Sequence, residues 1–406
     1  MAGLLSGLKV LEVANWVAAP TAASLMVDLG AEVIKIEPPE GDPYRVIAHR
    51  VKEMQYPFRF SPNFQVGNRG KRSLAVDLRK PEARRVVRDV VARCDAFVCN
   101  LLPERRERYG LSEEELAACN PTLIDVSLTG YGARGDDRNR PGFDFAAFWG
   151  RSGIMSMVGT AGAPPTSQRG GMGDHTTALN ILTALLACLR LREATGRGQR
   201  AQVSLVNTGL WVLGAPVVTA LADPRQPPLP DRRRPRDALV NSYPTADGRW
   251  LMLAAGDDAA QWAALCAALG QPAWAADPRF ATPAARRDHA EALAAALEAA
   301  FAARSLADWG PVLNGAGLAW DPVALTTEVI ADPQPEAIGR FLELDDPEYG
   351  RFRTLAAPFT LSAGVNTPRR PAPRIGEHTD EVLREVGYDD ARLADLRSKG
   401  VVGAAG

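Results

Sequence analysis

The sequence predicts an α/β fold, a doubly wound large domain accompanied by a smaller α+β domain. Three observations lead there. Residues 8–37 read as strand, helix, strand; the same alternation recurs through residue 128; and a proline- and arginine-rich stretch at 224–237 precedes a second patterned region. Strands alternating with helices at this spacing imply right-handed βαβ crossovers and a mostly parallel sheet.

Residues 8–13 are a short apolar run rich in β-formers, as a buried strand requires. Residues 19–30 read as a helix, with Pro20 in the first turn, where its missing N–H is harmless, and Gly30 at the end. Residues 32–37 form the next strand. Residues 73–78 are another, Pro81 opens a helix with Val86, Val87, Val90 and Val91 on one face, and residues 96–99 are a strand. Ser112 and Glu115 form a capping box before a short helix, and residues 123–128 close the series. Residues 129–173 break the rhythm as a long Gly-, Arg- and Asp-rich segment, and long loops in α/β domains are usually functional. A strongly apolar helix is expected from His175 to about Glu193, ended by Gly196, then a strand at 201–206. Residues 224–237 (PRQPPLPDRRRPRD) read as an extended, solvated linker. Beyond it come a hairpin turning at Asp247-Gly248, alanine-rich helices near 258–269 and 284–303, renewed β character around 340–362 and a charged helical tail at 377–398. The terminal VVGAAG is expected to fray.

Composition narrows the function. Lys+Arg 47 against Asp+Glu 48 gives a net charge of −1, which excludes a chain-wide nucleic-acid or anionic-membrane platform while allowing a local basic pocket. There is no run of 18 apolar residues, so no membrane-spanning helix is expected, and the N-terminus lacks the pattern of a signal peptide. Five scattered cysteines (Cys94, Cys99, Cys119, Cys188, Cys266) without a CxxC pair suit reduced thiols in the cytoplasm. Four dispersed histidines and no HExxH leave no expectation of a metal.

The first strand–helix junction, ANWVAAPTAA, has neither GxGxxG nor GxxxxGK[ST]. The fold is therefore Rossmann-like without the usual diphosphate cradle, although the helix N-terminus near residue 20 still offers free N–H groups. Basic residues gather at Arg69, Lys71, Arg72, Arg79 and Lys80, and Asn100, Arg105, Arg106 and Arg108 follow the strand at 96–99. They are either solvated surface or phosphate contacts at the sheet edge where α/β ligands bind. RGGMGDHTTALN, residues 169–180, crowds glycines around Asp174 at a helix start. Asp174 there is an N-cap, a nucleophilic carboxylate with backbone donors beside it, or both.

Six segments in order carry a resemblance to the family III CoA-transferases and α-methylacyl-CoA racemase, over nearly the whole chain. They are the opening through PPEGDPYR, NRGKRSLAVDL, GMGD, TGRGQRAQVSL, YPTADGRW and IGEHTDEVLREVG. The resemblance implies that Asp174 is the catalytic aspartate, that Trp16, Val17, Arg79, Asn100 and Arg108 contact coenzyme A, and that Phe143 and Asp144 lie near the acyl pocket. Pro38 stands where relatives can carry an arginine, which removes that contact. It further implies acyl-CoA and a carboxylic acid as substrates, CoA as co-substrate without a metal, and an aspartyl-CoA thioester intermediate. An open-ring chain in an interlaced homodimer follows as well, with 1–223 as the first part of the large CoA-binding domain, 238–335 as the small domain and 336–406 returning to the large one.

Two departures stand out. The region matching a relative's poly-glycine loop, LAAGDDAAQWAAL, has one glycine, Gly256. The Gly-His-Asp segment of the racemases reads Gly142-Phe143-Asp144 here, and phenylalanine moves no proton. Transfer is thus expected over racemisation, epimerisation or intramolecular isomerisation, the alternative on this scaffold; a non-catalytic CoA-binding protein is the alternative of another class. The aromatic run FDFAAFWGRSGIMSMV hints at an acyl group larger than formate or oxalate, or else is core, and Arg151 within it meets a substrate carboxylate or a surface acid.

Overall fold

The computed structural model describes residues 3–50, 61–166, 168–226, 228–362 and 370–403. The chain divides into two compact units, residues 1–155, 167–224 and 334–406 in one, and 156–166 and 225–333 in the other.

In the first unit, β1 (Lys9–Val13), β2 (Glu32–Glu37), β3 (Arg72–Ala75), β4 (Ala96–Cys99), β5 (Ile124–Thr129) and β6 (Gln199–Ser204) form one parallel sheet in the order β3-β2-β1-β4-β5-β6. The order reverses between β1 and β4, which opens a crevice at their carboxyl ends. Alternate residues feed two cores. Val10, Val33, Val98 and Val126 pack on one face with helices Ala18–Asp28 and Met172–Thr195. Leu11, Ile34 and Phe97 pack on the other with Val86, Val87 and Val90 of helix Ala83–Val91 and Leu383, Leu393 and Leu396 near the C-terminus. Every residue of helix Ala18–Asp28 is buried, so its start is a fixed point of the architecture. Val401 and Val402 are buried, and Val402 bridges to Val76, so the fraying expected of the terminal VVGAAG does not hold for these two residues; 404–406 lie outside the described residues.

The capping box of Ser112 and Glu115 forms as its spacing requires. The 129–173 stretch, expected to be loop, contains a π-helix, Asp144–Arg151. Helix Leu205–Ala222 is a further difference. It is 18 residues long and apolar enough, by length and composition only, to cross a membrane, against the expectation of none. Pro216 lies inside it and its backbone kinks at Gly214.

In the second unit, β7 (Val240–Pro244), β8 (Trp250–Ala254) and β9 (Trp320–Pro322) make an antiparallel sheet, and Gly248 takes the left-handed conformation its turn requires. Stacked Tyr243 and Phe301, with Trp309 edge-on to Phe301, form the centre of its core. The 224–237 stretch is not wholly solvated: Arg232 pairs with Glu298 at 2.5 Å and lies over the Trp250 ring. Gly256 leads into helix Ala259–Ala268, whose first N–H groups are capped by Asp258, where a relative's poly-glycine loop would lie. Back in the first unit, β10 (Phe341–Asp346) and β11 (Gly350–Leu355) pair antiparallel, and the charged tail forms helices Thr379–Glu385 and Asp390–Ser398.

Candidate active site

The crevice between β1 and β4 is floored by a clamp of side chains around residues 14–16. Glu12 and Lys35 are directly opposed across β1 and β2 and both fully buried, with Lys35 Nζ 2.9 Å from Glu12 Oε1. Lys35 Nζ also donates to the Ala14 carbonyl at 2.7 Å and pairs with Asp42 at 3.0 Å. Lys71 completes the group through Glu12, the Pro20 carbonyl and Asn68. Burial opposes the charge on both lysines. The acids Glu12, Asp42 and Glu37 overcome it at Lys35, held above the ordinary lysine range, but not at Lys71, pushed down to about 8.

Above this cluster Trp16 has φ 72°, the one positive φ at a non-glycine among the described residues. Such a conformation costs about 1–3 kcal/mol and persists where surroundings impose it. Here Asp42 Oδ1 accepts the Trp16 N–H at 3.2 Å. Asn100, at the end of β4, donates to the Asn15 carbonyl at 2.7 Å and accepts the Asn15 N–H at 3.2 Å, so one side chain ties β4 to the β1 turn across the reversal point. Asn15 Oδ1 is left buried without a hydrogen-bond partner. The Trp16 ring meets Phe143 edge-on, centroids 5.7 Å apart.

Phe143 precedes the π-helix, and the next residue, Asp144, is buried. Asp144 Oδ2 accepts the Gly171 N–H at 2.9 Å, while Oδ1 has no partner. Gly171, at φ 102°, is the N-cap of helix Met172–Thr195, so the helix begins earlier than the sequence suggested and Asp174 is its third residue, not its cap. No side chain caps this end, which leaves first-turn N–H groups for a ligand. Gly173 is dictated by packing. A Cβ there would lie 2.2 Å from Phe148 Cγ and 2.3 Å from Asp144 Oδ1. Asp174 itself is partly buried, and burial, with the Asp144 charge adding to it, pushes its carboxyl up to about 7. The turn carrying it borders an apolar cavity of about 280 Å³ lined by His175, Thr176 and Leu179 from its own helix and by Leu25 and Leu355.

The structure thus brings Trp16, Asn100, Phe143, Asp144 and Asp174 into a connected series. Val17 is buried as the N-cap of helix Ala18–Asp28. Arg79 and Arg108 are exposed and held by local acids, Arg79 by Asp77 at 2.7 Å and Glu40 at 3.4 Å, Arg108 by Glu104 at 2.8 Å. Arg106 is structural, buried against Asp125. The aromatic run splits: Phe148 and Trp149 are core, whereas Phe143 and Phe145 are about half exposed. Arg151 pairs with Asp137 at 3.3 Å as a surface ion pair. Sequence reasoning missed Asn15, Lys35 and Asp42. Charged residues inside strands carry no signal that separates a buried clamp from a solvated edge.

Among the described residues no cluster of three or more His, Cys, Asp or Glu is arranged to hold a metal. All five cysteines are free, and burial pushes Cys94 up to about 12 and Cys99 up to about 11, so neither is a ready nucleophile.

The pattern of CoA-transferase family III matches residues 5–379. The chain is 30% identical to (R)-2-hydroxy-4-methylpentanoate CoA-transferase of Clostridioides difficile over 98% of this chain and 99% of that protein. It is 31% identical to succinyl-CoA–D-citramalate CoA-transferase of Chloroflexus aurantiacus, over 98% of each. Among solved structures, a CAIB/BAIF family protein from Brucella suis superposes with a TM-score of 0.84 at 31% identity, covering 95% of this chain and all of that one. With the match running through both units and the parallel sheet reversing its order between β1 and β4, the chain belongs to CoA-transferase family III.

Proposed function

We propose that the protein moves CoA from an acyl-CoA donor to a carboxylic acid acceptor through a thioester on Asp174. The observation that carries this reading is the placement of Asp174. It is a partly buried carboxyl in the first turn of a helix without a side-chain cap, flanked by glycines, and the residues that follow it on that helix, His175 and Thr176, line a cavity. Burial matters chemically, because a desolvated carboxylate is a stronger nucleophile than a hydrated one and water is kept from the activated esters that follow.

The Asp174 carboxylate attacks the donor thioester carbonyl. The C–S bond breaks, leaving an acyl–aspartyl anhydride and CoA thiolate. The thiolate attacks the Asp174 carbonyl carbon, releases the donor as its carboxylate and forms the aspartyl-CoA thioester. The acceptor carboxylate attacks that thioester, the thiolate leaves again, and its return to the acceptor acyl carbon regenerates Asp174. No net proton is consumed. Oxyanions formed at Asp174 lie where the free N–H groups of the helix start are available.

In this reading CoA lies along the β1–β4 crevice, with Trp16 and Val17 beside the turn, Asn100 fixing that turn, and Arg79 and Arg108 exchanging their local acids for the nucleotide phosphates. Phe143 and Phe145 face the acyl group, one larger than formate or oxalate, and the name of the Clostridioides difficile relative supports a branched 2-hydroxy acid as the class to test first. Phe143 leaves no proton carrier at the position a racemase uses. The protein acts as a homodimer, supported by the apolar face of helix Leu205–Ala222, where Trp211 and Leu221 are each 82% exposed in the single chain. We place it in the cytoplasm, where its five free thiols stay reduced.

The test is exchange of labelled CoA between acids by Asp174→Ala and Asp174→Asn. Both lose exchange and retain acyl-CoA binding. Full activity in either removes Asp174 as the nucleophile.

A further inference from the structure

Asp144 does more than its hydrogen bond requires. Its Oδ2 accepts the Gly171 N–H at 2.9 Å and so fixes the left-handed residue from which helix Met172–Thr195 starts. An asparagine oxygen would do this equally well. The carboxylate adds a second oxygen, Oδ1, buried without any partner and packed so closely on Gly173 that a single methyl group there would overlap it. Leaving a carboxylate oxygen unpaired in a protein interior is costly, and no hydrogen bond among the described residues offsets that cost.

The surrounding charges are accounted for. On the elements packed against this helix, Asp28 is paired with Arg69, Asp125 with Arg106, Arg200 with Glu113, and Arg151 with Asp137. At the far end of the helix Arg192 pairs with Asp95. Helix Leu205–Ala222 contains no charged residue. Among the described residues this leaves Asp144, His175 next along the helix and the exposed Arg169 just before the Gly170-Gly171 pair as the ionisable groups near the Asp174 turn, and of these it is Asp144 whose charge acts on the Asp174 carboxyl.

We propose that Asp144 is a positioning residue for Asp174, holding the helix start through one oxygen and, through the charge on the other, setting the pH above which Asp174 is reactive. The inference rests on Asp174 as nucleophile and adds how its reactivity is set. Like charges at short range disfavour joint ionisation, and burial strengthens the effect, in keeping with the raised carboxyl at Asp174. The result is an enzyme whose carboxylate is supplied as the pH rises through neutrality.

The experiment is the pH profile of single-turnover CoA exchange for the full-length protein, for Asp144→Asn, which keeps the acceptor for Gly171, and for Asp144→Ser, a smaller neutral residue used if the amide variant does not fold. Wild type is expected to show a midpoint near pH 7. Either neutral variant is expected to move that midpoint down by about one pH unit or more. A purely structural role predicts an unchanged midpoint, and an unchanged or higher midpoint overturns the inference. Asp174→Asn, assayed alongside, separates the two claims. If it is inactive while the Asp144 variants keep the wild-type midpoint, the role of Asp144 falls and the nucleophile stands. If it remains active, the nucleophile falls and the inference with it.

Discussion

Replacing Asp174 by asparagine should make the protein more stable above neutral pH while abolishing transfer. The carboxyl is pushed from 3.8 up to about 7, first by burial and then by Asp144. At 1.36 kcal/mol per pH unit that displacement corresponds to about 4 kcal/mol. Water reaches the partly exposed group, which brings the recoverable part to roughly 2–4 kcal/mol. The sign follows from proton binding. Between pH 4 and 7 the folded state holds a proton at Asp174 that the unfolded chain has released, so wild-type stability falls as pH rises through that window. Asparagine does not titrate. The two proteins should therefore melt together near pH 4, diverge up to pH 7 and stay apart above it, with the variant higher by roughly 2–5 °C. Thermal unfolding of both proteins at half-unit intervals from pH 4 to 8 measures this. A difference in Tm that does not change with pH, or a variant less stable at pH 8, refutes the reasoning.

Two further perturbations test the frame around the site. Gly173→Ala puts a methyl group into Phe148 and Asp144, so it should cost about 1–3 kcal/mol in urea unfolding and cut CoA exchange at least tenfold; wild-type stability and exchange would show that the first turn is not fixed by this packing. Lys35→Met leaves Asp42 buried without its cation, leaves Glu12 with Lys71 alone and releases the Ala14 carbonyl, for an expected loss of about 3–5 kcal/mol and a raised KM for acyl-CoA, whereas a loss under 1 kcal/mol would mean that the cluster does not hold the Trp16 turn.

The parts of this molecule legible in its sequence are those written in short-range patterns. The central strands of the parallel sheet, β1, β4 and β5, are buried on both faces and so read as largely apolar runs, and Ser112 and Glu115 sit at the fixed spacing of a capping box. Asp174 was found as a glycine-flanked acid at a helix start. Its exact place was not, because the true N-cap, Gly171, is held by Asp144 from 27 residues away. The same distance in sequence hid the clamp on Trp16. Glu12, Lys35 and Asp42 meet because β1 and β2 pair in one register, and a lysine in a strand looks the same whether it reaches water or a buried glutamate. The π-helix at Asp144–Arg151 escaped notice because its apolar residues follow neither the α nor the β period. Helix Leu205–Ala222 escaped because its Asn, Thr, Gly and Pro residues interrupt the apolar run.

The central claim is covalent, and mass spectrometry of the 174-containing peptide addresses it most directly. After the protein is mixed with donor acyl-CoA alone and quenched, the account predicts that this peptide carries CoA in thioester linkage at Asp174, and that hydroxylamine converts the residue to a hydroxamate. An unmodified peptide in protein that still exchanges labelled CoA between acids would contradict it.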